Sequence, residues 1–198
     1  NTTGTYGFYT TQFNTTVKNC QISNFQHAIY YNTADNGTIQ NVTASSTHST
    51  GAGIYLYNGA NYNTINNLTR SATEYYSIYR YNGVSYNTIN NSKGTSTSGH
   101  GIGLVTSSNY NTISNSNGTS TSGVGIYLPS SDYNNITSST GTSTSDVGIQ
   151  LSSGSNNTIA NSTGTSTSSV GIYLASSSNN NAITTSTGTP GPSRALTI

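Results

Sequence analysis

The stretch "NYNTISNSNGTSTSGVGIYL", Asn109 to Leu128, decides how the whole chain is read. Asn, Ser, Thr and Gly fill most of it, and its apolar residues are few and evenly placed. Close copies recur along the chain. Aligned on Gly-Ile-Tyr-Leu, they give Ile54, Ile78, Ile102, Ile126, Ile149 and Ile172, at steps of 24, 24, 24, 23 and 23 residues. A second column, Ile65, Ile89, Ile113, Ile136, Ile159 and Ile183, keeps the same step. Phe8 and Ile29 continue the first column upstream, and Val17 and Ile39 the second, which makes about eight units of about 22–26 residues. Each unit holds short β-branched runs broken by Gly, Asn and Ser and lacks helical periodicity, so it reads as strands and turns.

A β repeat of this length stacks economically as a solenoid, each unit forming one coil over the last. The expected fold is therefore all-β: a single-domain parallel β-helix over residues 1–189, followed at 190–198 by a Pro/Gly linker and a short strand-like tail. The period-2 rule turns Ile and Leu of Gly-Ile-Tyr-Leu inward and Tyr outward, with Leu56, Leu104, Leu128, Leu151 and Leu174 as an inner column. Asn63, Asn87, Asn111, Asn134, Asn157 and Asn181 align two residues before the second Ile and are expected to form an amide ladder at a turn. One residue earlier stand Tyr62, Tyr86, Tyr110 and Tyr133, then Asn156 and Asn180. "GTSTS", starting at Gly94, Gly118, Gly141 and Gly164, supplies a third strand.

These strings, summarised as NTIxNSxGTSTSxxGIYLxxSSxxN, resemble the right-handed parallel β-helix repeat of pectate-lyase-like and NosD-like proteins, strongly from Gly53 to Gly188. The resemblance implies the fold; the architecture hosts too many activities to imply one function.

Composition agrees with cohesion by stacking. Hydrophobic residues make up 30%, below the roughly 45–50% of an ordinary globular domain. Disorder would bring high net charge and few aromatics, yet 5% of residues are charged, the net charge is +1 and there are 16 Tyr. Five cations, Lys18, Arg70, Arg80, Lys93 and Arg194, make no basic patch, which argues against nucleic acid and anionic membranes as partners. No apolar run reaches the length of a membrane span. The chain has no Met, so Asn1 is read as the start of a processed or excised segment, and a lone Cys20 excludes an internal disulfide.

Catalytic chemistry finds few candidates, and no catalytic, metal or cofactor residues are assigned. Asp35, Glu74, Asp132 and Asp146 are the only acids. Asp35 and Asp132 share a coil position four coils apart, ~19 Å at the spacing of stacked strands, whereas inverting hydrolases hold paired carboxylates about 6.5–9.5 Å apart. His27 and His100 are equivalent but three coils apart and His48 lies elsewhere, too dispersed for zinc or copper. Each His is expected on the surface or in a turn. Abundant Ser means repeat, because no Gly-x-Ser-x-Gly elbow occurs.

Two residues break the inner column, Arg80 and Tyr31, and both are expected to turn outward through a local bulge, or Arg80 to reach toward an end of the core. The alternative pairs Arg80 with Glu74.

What the surface does carry is Asn-x-Ser/Thr acceptor triplets, at Asn1, Asn14, Asn36, Asn41, Asn67, Asn90, Asn117, Asn135, Asn156 and Asn161. N-linked glycans there would supply the hydration that charge does not, and Asn117 beside Gly118 is expected at a turn. Few carboxylates are available to titrate, which implies indifference to acid. This character resembles archaeal cell-surface proteins of hot acidic habitats. The expected function is an extracellular structural subunit that joins head to tail, through uncovered coil ends or the tail Ala195, Leu196, Thr197 and Ile198, into a filament or surface layer. The alternative is an adhesin or rod that binds surface carbohydrate along Tyr62 to Tyr133; a variant of it binds ice through the Thr of "GTSTS", where a glycosylated flank would obstruct the face, and a third and less favoured reading is a carbohydrate-active enzyme with an unrecognised site.

Overall fold

The structure is a computed structural model and describes residues 4–46, 48–175 and 177–191. From each Ile of the first column to the next the chain travels once around a coil. The first face is an eight-stranded parallel sheet made of Gly4–Thr10, Phe25–Asn32, Ile54–Tyr57, Ile78–Tyr81, Ile102–Val105, Ile126–Pro129, Ile149–Ser152 and Ile172–Leu174, stacked in chain order. These strands number the coils one to eight.

The second face carries the other Ile column on strands such as Thr88–Asn90, Thr112–Ser114 and Asn135–Thr137. The third carries the Gly-Thr-Ser strands Lys93–Ser96, Asn117–Ser120, Thr140–Ser143, Thr163–Ser166 and Thr187–Thr189. In coil two one long strand, Thr38–Ser46, runs across both faces and joins them into a single sheet. Register follows the repeat: Ile102 pairs with Ile78 and Ile126, and Ile113 with Ile89 and Ile136.

The core is the pair of Ile columns, buried from Ile29 to Ile172 and from Ile39 to Ile159, plus Leu56, Leu104, Leu128 and Leu151. Tyr55 and Tyr127 point outward as the alternation requires. Each inward residue packs on its equivalents above and below, so a narrow apolar stripe suffices where a globular core would need volume.

Polar residues complete the interior. The backbone N–H of Asn63, Asn87, Asn111, Asn134 and Asn157 each donates to the side-chain Oδ1 of the Asn one coil on, at 2.6–2.9 Å. The amide Nδ2 groups of Asn63, Asn111 and Asn157 donate to the carbonyls of Ala34, Val84 and Ser131. The ladder is thus mainly side chain to backbone, which satisfies turn amides whose burial unpaired would cost about 1–3 kcal/mol each. A parallel serine ladder, not evident in the sequence, runs from Ser92 through Ser116 and Ser139 to Ser162. Each of these residues takes the N–H of the preceding coil on its Oγ, at 3.1–3.3 Å.

Corners are made by left-handed residues in columns. Asn19, Asn41, Asn67, Asn91, Asn115, Ser138 and Asn161 have φ of 47–54° where the second face turns into the third. Asn14, Asn36, Tyr62, Tyr86, Tyr110, Tyr133, Asn156 and Asn180 have φ of 52–60° before the second face. Asn tolerates this conformation, whereas Tyr gives up roughly 1–2 kcal/mol to it. The third corner brings the third face against the next first-face strand through paired glycines: a Cβ on Gly118 would collide with the Gly125 carbonyl, and one on Gly141 with that of Gly148.

From each second-face Ile to the next first-face Ile the distance is a constant 13 residues from Ile65 onward. The other part of the coil takes 11 residues after Ile54, Ile78, Ile102 and Ile172 and 10 after Ile126 and Ile149. Every change of coil length in coils three to eight is therefore made in the turn that follows the first face.

Arg80 and Tyr31 do not turn outward. Both are fully buried in the inner column, Arg80 opposite Leu56 and Leu104 and Tyr31 opposite Leu56. Tyr31 fits because its hydroxyl donates to the Thr15 carbonyl at 2.9 Å, and because Gly37 leaves free the space in which a Cβ would meet the ring. Pairing on both flanks fixes the register, and in a fixed register the position decides which way a side chain points, whatever its chemistry.

Candidate functional site

The acids do not converge. Asp35 and Asp132 occupy equivalent turn positions, as expected, and there each caps the backbone of the next coil: Asp35 Oδ1 accepts from Asn61 N–H and Asp132 Oδ1 from Ser155 N–H, both at 2.7 Å. Asn61 and Asn109 do the same with their amide oxygens in the coils between. Asp146 Oδ1 accepts from Val147 N–H at 2.8 Å, and Glu74 is exposed. Among the described residues no three of His, Cys, Asp and Glu come together.

Two arginines are buried in place of small or apolar residues. Arg80 Nη1 donates to Asn111 Oδ1 at 3.0 Å, while its Nε and Nη2 have no partner. Glu74 does not reach it. Arg70, in the glycine column of the third face opposite Gly94, was not marked out by the sequence reading. Its Nη1 bonds the carbonyls of Tyr76 at 3.1 Å and Ser77 at 2.7 Å, and Nε and Nη2 again stand alone. Its guanidinium lies over Gly53, where any Cβ would collide with it. Burial pulls both guanidiniums down to about 9. The clue was the break in the Gly column, which the period-2 rule already points inward.

His27 lies buried within the strand Phe25–Asn32, contrary to its expected place on the surface. Its Nδ1 accepts the N–H of Ala52 at 3.1 Å, and His100 Nδ1 that of Val124 at 2.8 Å. Both rings are thereby held neutral with the proton on Nε2. Burial lowers His27 to about 4 and lowers His100 as well, the latter against the pull of Asp146.

Aromatic rings form two files. Tyr62, Tyr86, Tyr110 and Tyr133 stack at 4.9–5.1 Å with interplanar angles of 3–8°. Stacking contributes about 0.5–1.5 kcal/mol per pair and offsets the left-handed backbone beneath. It also covers the ring faces, so the file presents edges and hydroxyls. The second file, broader, runs over the outside of the first face through His27, Tyr30, Tyr55, Tyr79, Tyr76, His100 and Tyr127, with neighbouring centroids 4.2–5.6 Å apart. Gly103 interrupts the outward Tyr column, and Tyr76 folds over it into the vacated space.

Of the ten acceptor asparagines, Asn1 lies outside the described residues, and so do Ala195, Leu196, Thr197 and Ile198. Asn14, Asn36, Asn41, Asn67, Asn117, Asn135, Asn156 and Asn161 are exposed and Asn90 is half-buried. Asn117 lies on the strand Asn117–Ser120 and not at a turn. Six of them, Asn14, Asn36, Asn41, Asn67, Asn156 and Asn161, are left-handed corner residues, and the Thr two places on is the next outward strand position. The corner thus generates the triplet for backbone reasons of its own. Asn67 Nδ2 already donates to Asn41 Oδ1, and Asn41 Nδ2 to Asn19 Oδ1.

A trough of about 270 Å³ crosses the third face in coils two to four, lined by Thr43, Ser45, Thr69, Ser71, Lys93 and Thr95 among others. No helix among the described residues is long and apolar enough to cross a membrane.

Stacked coils, columned corners and inward ladders define a parallel β-solenoid. The family model described as "Right handed beta helix region" matches residues 6–117 and 62–189, and the chain belongs to that family. No curated protein and no solved structure matches it.

Proposed function

We propose that the chain is an N-glycosylated extracellular structural subunit that stacks end to end with further copies in a filament or surface layer. The supporting observation is the self-complementary pairing of the coils, which repeats residue for residue through both sheets so that a further copy in register amounts to one more coil. In the last described coil Ile183 is 38% exposed, whereas Ile39, Ile65, Ile89, Ile113, Ile136 and Ile159 in the same column are fully buried. A second copy entering in register would bury Ile183 and continue the two sheets, and a head-to-tail contact of this kind does not close. Exposed acceptor asparagines along the body suit a glycosylated exterior.

Sedimentation velocity and electron microscopy of the purified full chain test this. The wild type is expected to form rods several subunits long, and Ile183→Lys to abolish them while keeping the β-sheet circular dichroism. Deleting residues 193–198 separates the joints: it abolishes rods if Ala195–Ile198 make the contact and leaves them if the coil end does. A monomer at every concentration overturns the proposal. Intact mass before and after deglycosylation tests the glycans.

A second reading, a carbohydrate-binding rod, is favoured by the file Tyr62, Tyr86, Tyr110 and Tyr133, which are the exposed rings of the body and present their edges and hydroxyls to solvent. Tyr110→Ala would weaken binding in a glycan screen, and unchanged binding would remove this reading.

A further inference from the structure

The outer side of the third face is more regular than any other surface of the rod. Thr95, Thr119, Thr142, Thr165 and Thr189 occupy its middle outward position in five successive coils, paired residue to residue. Two residues earlier, Thr140, Thr163 and Thr187 form a second file that continues through Asn117 to Lys93. Just beyond the strands, Thr97, Thr121, Thr144 and Thr167 form a third, exposed file. From Asn117 to Thr189 no third-face strand carries a charged residue.

Repetition alone does not give a binding face; the state of the hydroxyls adds the second observation. The inward serines of the same strands, Ser96, Ser120, Ser143 and Ser166, each bond a carbonyl, of Tyr75, Gly99, Gly123 and Asp146 respectively. Among the described residues the outward threonine hydroxyls have no hydrogen-bond partner. Thr is stiff at χ1, and in-file neighbours leave Thr95, Thr119, Thr142 and Thr165 of the middle file half-buried, so methyl and hydroxyl are held in a fixed lattice. Stacking keeps such a sheet flat where free sheets twist.

The lattice repeats at about 4.8 Å from coil to coil and about 6.6 Å between outward positions two residues apart. The coil step is close to the shorter oxygen repeat on the prism face of ice, and the spacing between files falls somewhat short of the longer one. A sugar site needs a few converging polar groups in a concavity, which this part of the face lacks. A ligand that is itself periodic in two dimensions suits it better, because a rigid array meets it without ordering cost. We propose that the threonine files between Thr119 and Thr189 bind ice. This does not depend on end-to-end assembly, and it requires Asn117 and Asn161, the acceptor residues beside these files, to carry no glycan.

Asn117 supplies the discriminating variant, since it interrupts the second file and carries an acceptor triplet. The full chain, made in a host that does not glycosylate, is measured for thermal hysteresis and for inhibition of ice recrystallisation. The wild type is expected to show both. T142Y and T165Y, which put a bulky ring into the middle file, are expected to lose most of the activity with unchanged circular dichroism and melting. N117T, which extends the second file, is expected to raise it, and Tyr110→Ala at another corner to leave it unaltered. A wild type and an N117T variant both indistinguishable from an inert protein of equal mass overturn the proposal. So does full activity in folded T142Y and T165Y; if either tyrosine variant unfolds, N117T still decides.

Discussion

Coil six presents Ile126 and Leu128 to the interior, and coil four presents Ile78 and Arg80 at the same two places. Around coil six the corner column preceding the first face reads Val124, Val147 and Val170; the equivalent residues earlier in the chain are His27, Ala52, Tyr76 and His100. The backbone frame is the same in both regions, with identical pairing and the same asparagine ladder. What the difference teaches is that the ladders and the in-register pairing hold the frame, while the core residues set its local strength. Arg80 is tolerated because Leu56 and Leu104 flank it and Asn111 accepts one of its protons, yet a buried charge without a counter-ion costs several kcal/mol.

Three measurements break or sharpen that contrast. The largest effect is expected from Ile136→Ala beside the well-packed coil six: a loss of about 2–5 kcal/mol in urea unfolding, from lost burial and an unfilled cavity. Ile89→Ala, the matched deletion beside Arg80, is expected to cost less; equal losses would erase the distinction. Next comes Arg80→Leu, which restores the column and is expected to stabilise by about 1–4 kcal/mol. A lower urea midpoint in this variant would show that the guanidinium is satisfied in a way its single bond does not reveal.

The smallest effect is acid dependence. His27 falls from its ordinary 6.5 to about 4 in the folded chain, so as pH drops the unfolded state takes up the proton first. Stability from this group is full above pH 6.5 and declines down to about pH 4. The loss is about 1–2 kcal/mol after allowance for solvent screening. His27→Val, which puts the residue of the regular coils at this position, is expected to flatten the urea midpoint between pH 7 and 4.5. An unchanged slope would assign the dependence elsewhere.

The two Ile columns, the outward Tyr and the Asn ladder were legible because each follows from period alone. Arg80 and Tyr31 were misread because residue chemistry was set above position, although the alternation that placed Leu104 inward applied to them equally. The serine ladder was hidden by composition: Ser116 and Ser122 look alike in sequence, yet one is buried in a ladder and the other exposed. Expected indifference to acid counted carboxylates and left out an imidazole that burial had made sensitive. Acceptor triplets were easy to find, but their cause was not, since the left-handed corner that calls for Asn41 or Asn161 is a property of backbone angles.

In coils three to eight the constant 13-residue part and its companion of 10 or 11 leave slack at one corner only. Residues can come or go between Pro129 and Ser131, or at the matching place in another coil, without moving the axis. These coils therefore share one permissive edge, a row of evenly spaced addresses at which foreign peptides could be grafted in line while their other corners keep a fixed geometry.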